Sequence, residues 1–224
     1  AALKAAGARV VGLFTRNWDA REETGSDDEC TYETDLRDAR RVAAHLRMEL
    51  VELDLVQEYW HGVFDGFLSD LAAGETPNPD LQCNRVVKFG AMLRHAVGAM
   101  GCEALATGHY ARTEVCPRTG RASLLRGLDR TKDQSYFLAA VTQDALRRSL
   151  FPLGAAAKAD IRALAAAEGL GHVAQKRASA GICFVGRRDF GDFVRGYLDS
   201  DKDPSGPVVC LESGREVGRH RGLA

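Results

Sequence analysis

Two cysteines of this chain, Cys83 and Cys183, lie in unusual backbone surroundings. Cys83 follows the segment Thr76-Pro-Asn-Pro-Asp80, whose prolines fix φ and bias the residues before them away from helix, so we expect a stiff, extended loop. Cys183 lies between Gly181 and Gly186, which permit a close backbone approach or a positive φ. Two cysteines held in such segments suggest paired sulfur chemistry.

A helix is predicted over residues 84–100, directly after Cys83. At the first turn of a helix, unpaired N–H groups and the helix dipole favour a thiolate, which is the nucleophilic form of cysteine. The alternative for each cysteine is a small buried hydrophobe, and the residues alone leave that alternative open. The other cysteines have no such surroundings and are assigned to packing or to the surface: Cys30, Cys102, Cys116 and Cys210.

Two further polar segments could contact a ligand. In Thr107-Gly-His-Tyr110, Gly108 would let a flat ligand or a phosphate approach the backbone, and His109 could donate a hydrogen bond to a nucleotide. The alternative for His109 is a structural histidine.

The second of these segments is Asp129-Arg-Thr-Lys-Asp-Gln-Ser-Tyr136. Lys132 and Gln134 flank a predicted helix cap at Asp133 or Ser135, where they could contact phosphates. An ordinary helix start is the alternative.

Strand and helix patterns alternate over the first 110 residues. This alternation predicts an α/β protein with a doubly wound parallel sheet, in which ligands bind beyond the carboxyl ends of the strands. Two of those ends carry Thr15 and Thr107. Strands are expected at 9–14, 49–53 and 103–107, and helices at 31–47, 56–71 and 84–100.

The pattern changes after Tyr110. A hairpin is expected over 111–127 with its turn at Thr119-Gly120, followed by helices at about 135–149 and 158–168. A polar linker covers 199–206, and residues 207–217 predict the first hairpin of a β domain. We therefore expect a catalytic domain over 1–148, a helical segment carrying Cys183 over 149–200, and the start of a β domain over 201–224.

Composition limits the class of protein. The chain has 224 residues, a net charge of −1 and no apolar run long enough to span a bilayer, so we expect no membrane partner. Its six cysteines form no CxxC pair, which argues against a structural zinc site. A chain of this size does not need a disulfide framework, which favours a reducing compartment. Residues 112–148 carry eight bases and four acids, which indicates either a solvated face or a surface for a phosphate backbone.

Taken together, these motifs resemble those of the tRNA-uridine 2-sulfurtransferase family over nearly the whole chain. The motifs that carry the resemblance are Val11-Gly-Leu-Phe-Thr-Arg-Asn-Trp-Asp19, Glu58-Tyr-Trp60, Thr76-Pro-Asn-Pro-Asp80 with Cys83-Asn84, Ala106-Thr-Gly-His-Tyr-Ala-Arg112, Lys132-Asp-Gln-Ser-Tyr-Phe-Leu138, Leu150-Phe-Pro-Leu-Gly154 and Gly181-Ile-Cys-Phe-Val-Gly186. The resemblance implies an adenine-nucleotide α-hydrolase-like fold of the ATP pyrophosphatase type.

The resemblance also implies a reaction: ATP, with Mg²⁺, adenylates the C2 oxygen of the wobble uridine of tRNA, and a persulfide then delivers sulfur to C2. Cys183 would carry the persulfide, taken from a sulfur-donor protein, and Cys83 would resolve it through a transient disulfide. The backbone at Thr15 and Gly108 would line the adenine site. Asn78, Pro79 and Asp80 would hold the flipped target base, and His109, Lys132, Asp133 and Gln134 would contact tRNA.

The chain departs from the family pattern at a few points. The pyrophosphate loop Ser-Gly-Gly-Val-Asp-Ser, expected just before Ala1, is not in this sequence, so no residue of the chain is assigned to the metal. Thr15 replaces a usual Met, and Ala178 replaces an acidic residue. The segment His172-Val-Ala-Gln-Lys-Arg177 favours a mitochondrial protein over a bacterial-type cytoplasmic one.

Three other functions are weighed against this one. Another ATP-dependent adenylating ligase of the same fold would not need two cysteines. A catalytically incomplete tRNA-binding remnant would bind tRNA without turnover. A cysteine redox protein would cycle an 83–183 disulfide without regard to tRNA.

Overall fold

The computed structural model describes residues 1–19, 32–176, 182, 184–186, 188–198 and 205–222. Cys183, Cys30 and Ala178 lie outside the described residues. Among the residues described, no helix is long and apolar enough to cross a bilayer.

Two pairs of parallel strands carry the α/β part of the fold. Strand β1 (Gly12–Arg16) pairs with β2 (Leu50–Asp54), with Gly12 opposite Leu50 and Arg16 opposite Asp54. Strand β3 (Leu105–Ala106) pairs in the same way with β6 (Ser149–Leu150). Parallel strands with helical connections confirm the α/β class. The predicted third strand is shorter than expected, since only two of its residues pair.

Helices connect and cover these strands. After the short α1 (Ala2–Ala5), α2 (Tyr32–His45) carries the acids Glu33 and Asp35 in its first turn, where they complement the helix dipole. Its apolar side is buried through Leu36 and Ala43. Near the end of α2, the imidazole of His45 lies 2.7 Å from the carbonyl oxygen of Glu168.

Two long helices lie at the centre of the molecule. Helix α3 covers 56–72 and contains a π-helical segment, Trp60–Phe64. Helix α4 covers 79–99 and is π-helical over Cys83–Met92 and His95–Ala99. The two helices approach closely at Gly62, where an added Cβ would lie 2.5 Å from a methyl group of Val86.

The later elements are short. A 3₁₀ turn (Tyr136–Leu138) and α5 (Gln143–Arg147) replace the single helix expected over 135–149. The break occurs because Thr142 has an extended backbone and caps α5, its hydroxyl accepting from the N–H of Ala145. The described residues after it include helices α6 (Lys158–Ala167), α7 (Gly171–Ala174) and α8 (Phe190–Arg195).

Both predicted hairpins are confirmed, as β4 (Ala111–Val115) with β5 (Ala122–Arg126) and β7 (Gly206–Val209) with β8 (Glu216–His220). Their turns share the pattern Cys-x-x-Thr/Ser-Gly-Arg. In both turns the glycine has positive φ, +65° at Gly120 and +67° at Gly214. In both turns the cysteine carbonyl accepts from the glycine N–H at 2.8 Å.

The turn cysteines, Cys116 and Cys210, are held alike. The hydroxyl of Thr119, together with two backbone N–H groups, hydrogen-bonds to the sulfur of Cys116 and lowers the pKa of that thiol. The hydroxyl of Ser213 lowers the pKa of Cys210 in the same way.

The core has two parts. The first, called the aromatic cluster below, joins the middle of α3 and the start of α4 to α8 and the turn before it. Its buried members are Leu55, Tyr59, Val63, Phe64, Phe67, Leu71, Cys83, Val87, Ala91, Phe184, Val185, Phe193 and Val194. The second lies under the β4–β5 hairpin and includes Phe89, Leu105 and Leu138.

Candidate active site around Cys83

Asn78 and Pro79 shape the chain that leads to Cys83. Asn78 is extended, with φ −113° and ψ 98°, and its side-chain oxygen accepts from the N–H groups of Asp80 at 3.0 Å and Leu81 at 3.3 Å. Pro79 is then the first residue of α4, a position where proline is well tolerated. The extended conformation expected before Pro79 is therefore present at Asn78.

The predicted start of the helix was wrong. Helix α4 begins at Pro79, not at residue 84, so Cys83 lies in the second turn and not at the amino end. The first turn belongs to Pro79–Gln82, and two of its N–H groups, those of Asp80 and Leu81, already donate to Asn78. A thiolate at Cys83 stays a prediction.

Cys83 is buried, with 6 % of its surface exposed, and it belongs to the aromatic cluster. The next residue, Asn84, is also buried, and its side-chain N–H donates to the carbonyl of Asp80 at 2.9 Å. This bond fixes the orientation of the amide. The other amide atom, Oδ1 of Asn84, is buried and has no hydrogen-bond partner among the described residues. A buried acceptor without a donor is energetically costly, which makes Asn84 an unusual neighbour for Cys83.

The neighbours of Cys183 enter the same cluster. Phe184 is 1 % exposed and its ring lies 5.0 Å from that of Phe64 and 5.6 Å from that of Trp18. The carbonyl of Ile182 accepts from the N–H groups of Val185 at 3.1 Å and of Gly186 at 3.2 Å, which closes a tight turn. The structure therefore brings the residues flanking Cys183 into the cluster that contains Cys83, while Cys183 itself lies outside the described residues.

Arg188 contacts the turn that includes residues 184–186. Its guanidinium donates to the carbonyls of Phe184 and Val185, the latter at 3.1 Å from Nε. The guanidinium carbon also lies 4.4 Å above the ring of Phe193, in a cation–π contact. Sequence reasoning missed this residue. The signal available was the excess of bases over acids in residues 176–195, five against two.

His109 is 9 % exposed and packs between Phe89 and Phe151. Its Nδ1 lies 2.8 Å from the hydroxyl of Thr107. Burial, with a smaller contribution from the nearby Lys88, lowers the pKa of His109 to about 4. The ring is therefore neutral at pH 7, and if the Thr107 hydroxyl donates to Nδ1, Nε2–H is left as a donor.

The segment 132–136 is tied to the backbone around it. The side-chain oxygens of Asp133 accept from the N–H of Gly127 at 2.8 Å and from the hydroxyl of Ser135 at 2.9 Å. The side-chain oxygen of Gln134 accepts from the N–H of Tyr110 at 3.0 Å. Lys132 is exposed. Within this segment, Asp133 and Gln134 fix the backbone, and the side chain of Lys132 faces solvent.

Tyr136 joins the predicted base-binding loop to this segment, since its hydroxyl lies 3.5 Å from the side-chain nitrogen of Asn78. The structure thus brings Asn78 close to the 132–136 segment. Tyr136 is 60 % exposed and was not singled out from the sequence. The signal available in the sequence was a tyrosine at the end of the polar segment 129–136.

Thr15 lies near the carboxyl end of β1, and Gly108 lies just after the carboxyl end of β3. Beyond Thr15, Arg16 forms ion pairs with Asp54 and Asp19, the latter at 3.0 Å. Oδ1 of Asn17 is buried without a hydrogen-bond partner among the described residues. An added Cβ at Gly108 would meet only Leu153, at 3.8 Å, so the backbone there is open to a neighbour.

Metal ligands were not expected in this chain. Across the described ranges, no group of three or more His, Cys, Asp or Glu side chains is arranged to hold a metal ion.

The sequence is similar to that of known proteins. A family model described as the tRNA methyl transferase HUP domain matches residues 1–187. The chain is 43 % identical over 223 residues to a Drosophila melanogaster protein named mitochondrial tRNA-specific 2-thiouridylase 1, covering 97 % of this chain and 56 % of that protein.

Bacterial proteins named tRNA-specific 2-thiouridylase MnmA are as similar. The identity is 45 % for the one from Pseudomonas aeruginosa, covering 97 % of this chain and 55 % of that protein. The identity is 42 % for the one from Proteus mirabilis, covering 99 % of this chain and 58 % of that protein. The chain thus spans a little more than half the length of these relatives.

Proposed function

The chain belongs to the family described as the tRNA methyl transferase HUP domain, and we propose that it is part of an enzyme that replaces the C2 oxygen of the wobble uridine of tRNA with sulfur. The observation that carries this proposal is the 42–45 % identity, across nearly the whole chain, to relatives named tRNA-specific 2-thiouridylase. The location of Cys83 beside the neighbours of Cys183 supports it.

The adenosine part of ATP fits the ends of β1 and β3. We assign it to the backbone at Thr15 and Gly108, because Gly108 is open to a close neighbour. The orphaned acceptor on Asn17 would suit the amino group of an adenine. When bound, ATP supplies the AMP group that turns the uridine C2 oxygen into a leaving group. We assign no residue of this chain to Mg²⁺.

Sulfur transfer falls to the two cysteines. The terminal sulfur of a persulfide on Cys183 attacks C2, and the C2 oxygen departs as part of AMP. The sulfur of Cys83 then attacks the sulfur of Cys183, so the bond from Cys183 to the transferred sulfur breaks and the base keeps that sulfur as a thiocarbonyl. A disulfide between Cys83 and Cys183 remains, and a thiol reductant must reopen it.

Substrate binding is assigned to the surface around the start of α4. Asn78, Pro79 and Asp80 hold the flipped target base, and the Asn78 cap makes that segment rigid. Lys132 contacts the tRNA backbone, while Asp133 and Gln134 fix the segment that presents it. His109, a neutral donor, completes the set of tRNA contacts.

The proposal extends to the fold and the partners. We propose that β1–β2 and β3–β6 belong to one doubly wound sheet, which is supported by Leu13 of β1 packing against the cluster that contains Leu105 of β3. We also propose the division into a catalytic domain over 1–148, a helical segment over 149–200 and the start of a β domain over 201–224.

A sulfur-donor protein would load Cys183 with the persulfide. The mitochondrial name of the Drosophila relative supports a mitochondrial location, with the bacterial cytoplasm as the alternative.

The test is thiolation by the full-length natural protein that contains this chain. With tRNA, ATP and a persulfide donor, 2-thiouridine should form at the wobble position, as measured by mass spectrometry of the digested tRNA. Cys83→Ser and Cys183→Ser should each abolish the product, and Cys102→Ser serves as the matched control. Full activity in both serine variants would favour a different adenylating ligase. Tight tRNA binding without ATP-dependent product would favour a tRNA-binding remnant.

A further inference from the structure

Tyr136 is an aromatic residue that the fold holds at the surface beside the start of α4. It is 60 % exposed, and its hydroxyl lies 3.5 Å from Nδ2 of Asn78. It is the first residue of the 3₁₀ turn Tyr136–Leu138, and Leu138 anchors that turn in the core with none of its surface exposed. The backbone of Tyr136 is therefore fixed by its neighbours, although most of the residue itself is accessible to a ligand.

The orientation of the Asn78 amide follows from its role as a helix cap. Oδ1 of Asn78 accepts from the N–H groups of Asp80 and Leu81, so Nδ2 is the atom that faces Tyr136. Because Nδ2 can only donate, the Tyr136 hydroxyl is the acceptor in this contact. The phenolic hydrogen and the second hydrogen on Nδ2 bond to no acceptor in the described part of the chain. Two donors therefore lie side by side at this surface.

Two adjacent donors are complementary to a carbonyl oxygen, which has two lone pairs. Uracil carries such an oxygen at C4, whereas cytosine carries an amino group there, which can only donate. An amino group placed against this pair would leave donors facing donors, and polar groups that lose their partners in a binding site are costly. The pair can therefore distinguish uracil from cytosine.

The surroundings of Tyr136 also suit RNA. Arg130 and Lys132 lie in the same segment and are exposed, and cations of this kind contact phosphates. The carboxylates of the segment, Asp129 and Asp133, accept from N–H and hydroxyl groups of the chain itself. The exposed ring of Tyr136 adds a face on which a base can stack.

We propose that Tyr136 is a specificity-determining residue, which together with Asn78 donates hydrogen bonds to the C4 oxygen of the target uracil, an inference that rests on the proposed function. In that function the target base lies at Asn78–Asp80, and Tyr136 contacts Asn78 directly. C2 and C4 of uracil lie on either side of N3. A base held by its C4 oxygen therefore keeps C2 accessible to the sulfur chemistry.

The experiment compares two tRNA transcripts that differ only at the wobble position, uridine in one and cytidine in the other. Binding of each transcript to the full-length natural protein that contains this chain is measured by fluorescence anisotropy in the absence of ATP. We expect the unaltered protein to bind the uridine transcript about tenfold more tightly. Tyr136→Phe, which keeps the ring and removes the donor, should weaken binding of the uridine transcript about fivefold and leave the cytidine transcript unchanged.

Two further variants separate the hydroxyl from the ring and from the fold. Tyr136→Ala should weaken binding of both transcripts, because the stacking face is lost as well. Tyr32→Phe removes a hydroxyl from a ring that packs on Phe14, and as the matched control it should keep the full preference for uridine. The result for Tyr136→Phe is a ratio between two RNAs, so a general loss of stability would not reproduce it.

The outcomes separate this inference from the proposed function. An unchanged preference for uridine in Tyr136→Phe overturns the inference, and so does an equal loss of binding for both transcripts. Equal binding of the two transcripts by the unaltered protein also overturns it. The proposed function is measured independently, by formation of 2-thiouridine in the unaltered protein. It stands in each of these cases if that product forms, and it fails if the product is absent.

Discussion

Gln134 and Tyr110 exchange two hydrogen bonds. The N–H of Tyr110 donates to the side-chain oxygen of Gln134 at 3.0 Å, and the N–H of Gln134 donates to the carbonyl of Tyr110 at 2.9 Å. This pair joins the segment after β3, which carries Gly108 and His109, to the segment that presents Lys132. Two surfaces proposed to contact tRNA are therefore fixed relative to each other by one glutamine.

Replacing Gln134 tests this link. Gln134→Ala leaves the N–H of Tyr110, a residue only 8 % exposed, without its acceptor. We expect the free energy of unfolding to fall by about 1–3 kcal/mol, the cost of an unsatisfied buried group. Urea denaturation measures it, with the exposed Gln175→Ala as control. Equal stability of the two variants would show that the pair contributes nothing.

Gly154 should not tolerate a side chain. An added Cβ there would lie 1.7 Å from the carbonyl oxygen of Ala111, at the start of the β4–β5 hairpin. We expect Gly154→Ala to lower the free energy of unfolding by about 3 kcal/mol or more, because the backbone must move to relieve the overlap.

The matched control is Gly66→Ala in helix α3, where an added Cβ meets nothing within 4 Å. Because alanine favours helix over glycine, this variant should gain about 0.5–1 kcal/mol. A Gly154→Ala protein as stable as the unaltered chain would contradict the close approach described here.

His109 should make stability depend on pH. Its pKa is about 4 in the folded chain, below the ordinary 6.5, because burial disfavours the charged ring. Above pH 6.5 the ring is neutral in both the folded and the unfolded chain, and its contribution to the free energy of unfolding is fully present. As pH falls from 6.5 to 4, only the unfolded chain takes up the proton, so stability is lost.

Between pH 7.5 and 5 this loss amounts to about 2 kcal/mol. Urea unfolding at the two pH values should show it in the unaltered chain and not in His109→Gln. The exposed His61→Gln should behave like the unaltered chain. An NMR titration giving His109 a pKa near 6.5 would contradict the prediction.

Arg188 should position residues 184–186, which follow Cys183 in the sequence. Arg188→Ala removes the donors to the carbonyls of Phe184 and Val185, so the proposed disulfide between Cys83 and Cys183 should form about tenfold more slowly. Trapping the disulfide over time, with mass spectrometry of the peptides, measures the rate.

Two companion variants isolate the role. Arg188→Lys, which keeps one donor, should recover part of the rate. Arg195→Ala, in helix α8 just after Arg188, loses the exposed pair with Asp192 and should behave normally. A slow disulfide in Arg188→Ala accompanied by an equal loss in thermal stability would indicate a structural role alone.

The sequence anticipated the elements whose signals are local. The two hairpins follow from Gly120 and Gly214, since each supplies the positive φ that its turn requires. The start of α4 was misplaced because Pro79 was interpreted as part of the extended loop, although proline is equally suited to the first position of a helix. A helix cap at Asn78 would have been the better interpretation.

Other features depend on tertiary contacts and could not be predicted. The partners of Arg188 are carbonyls presented by a turn, and nothing in the spacing of residues 182–188 specifies which side chain will reach them. The π-helical geometry of Cys83–Met92 likewise has no sequence signal of its own. The grouping of Trp18, Trp60 and Tyr197 joins residues far apart along the chain.

The matched turns of the two hairpins have a practical consequence for chemical labelling. Cys116 and Cys210 ionise more readily than an ordinary thiol because hydroxyl and N–H groups surround their sulfur atoms. Neither belongs to the cluster that contains Cys83. An alkylating reagent added to this chain should therefore modify the hairpin thiols before the buried Cys83. The rate at which Cys83 is alkylated can be measured without interference from Cys116 and Cys210 once both have been replaced by serine.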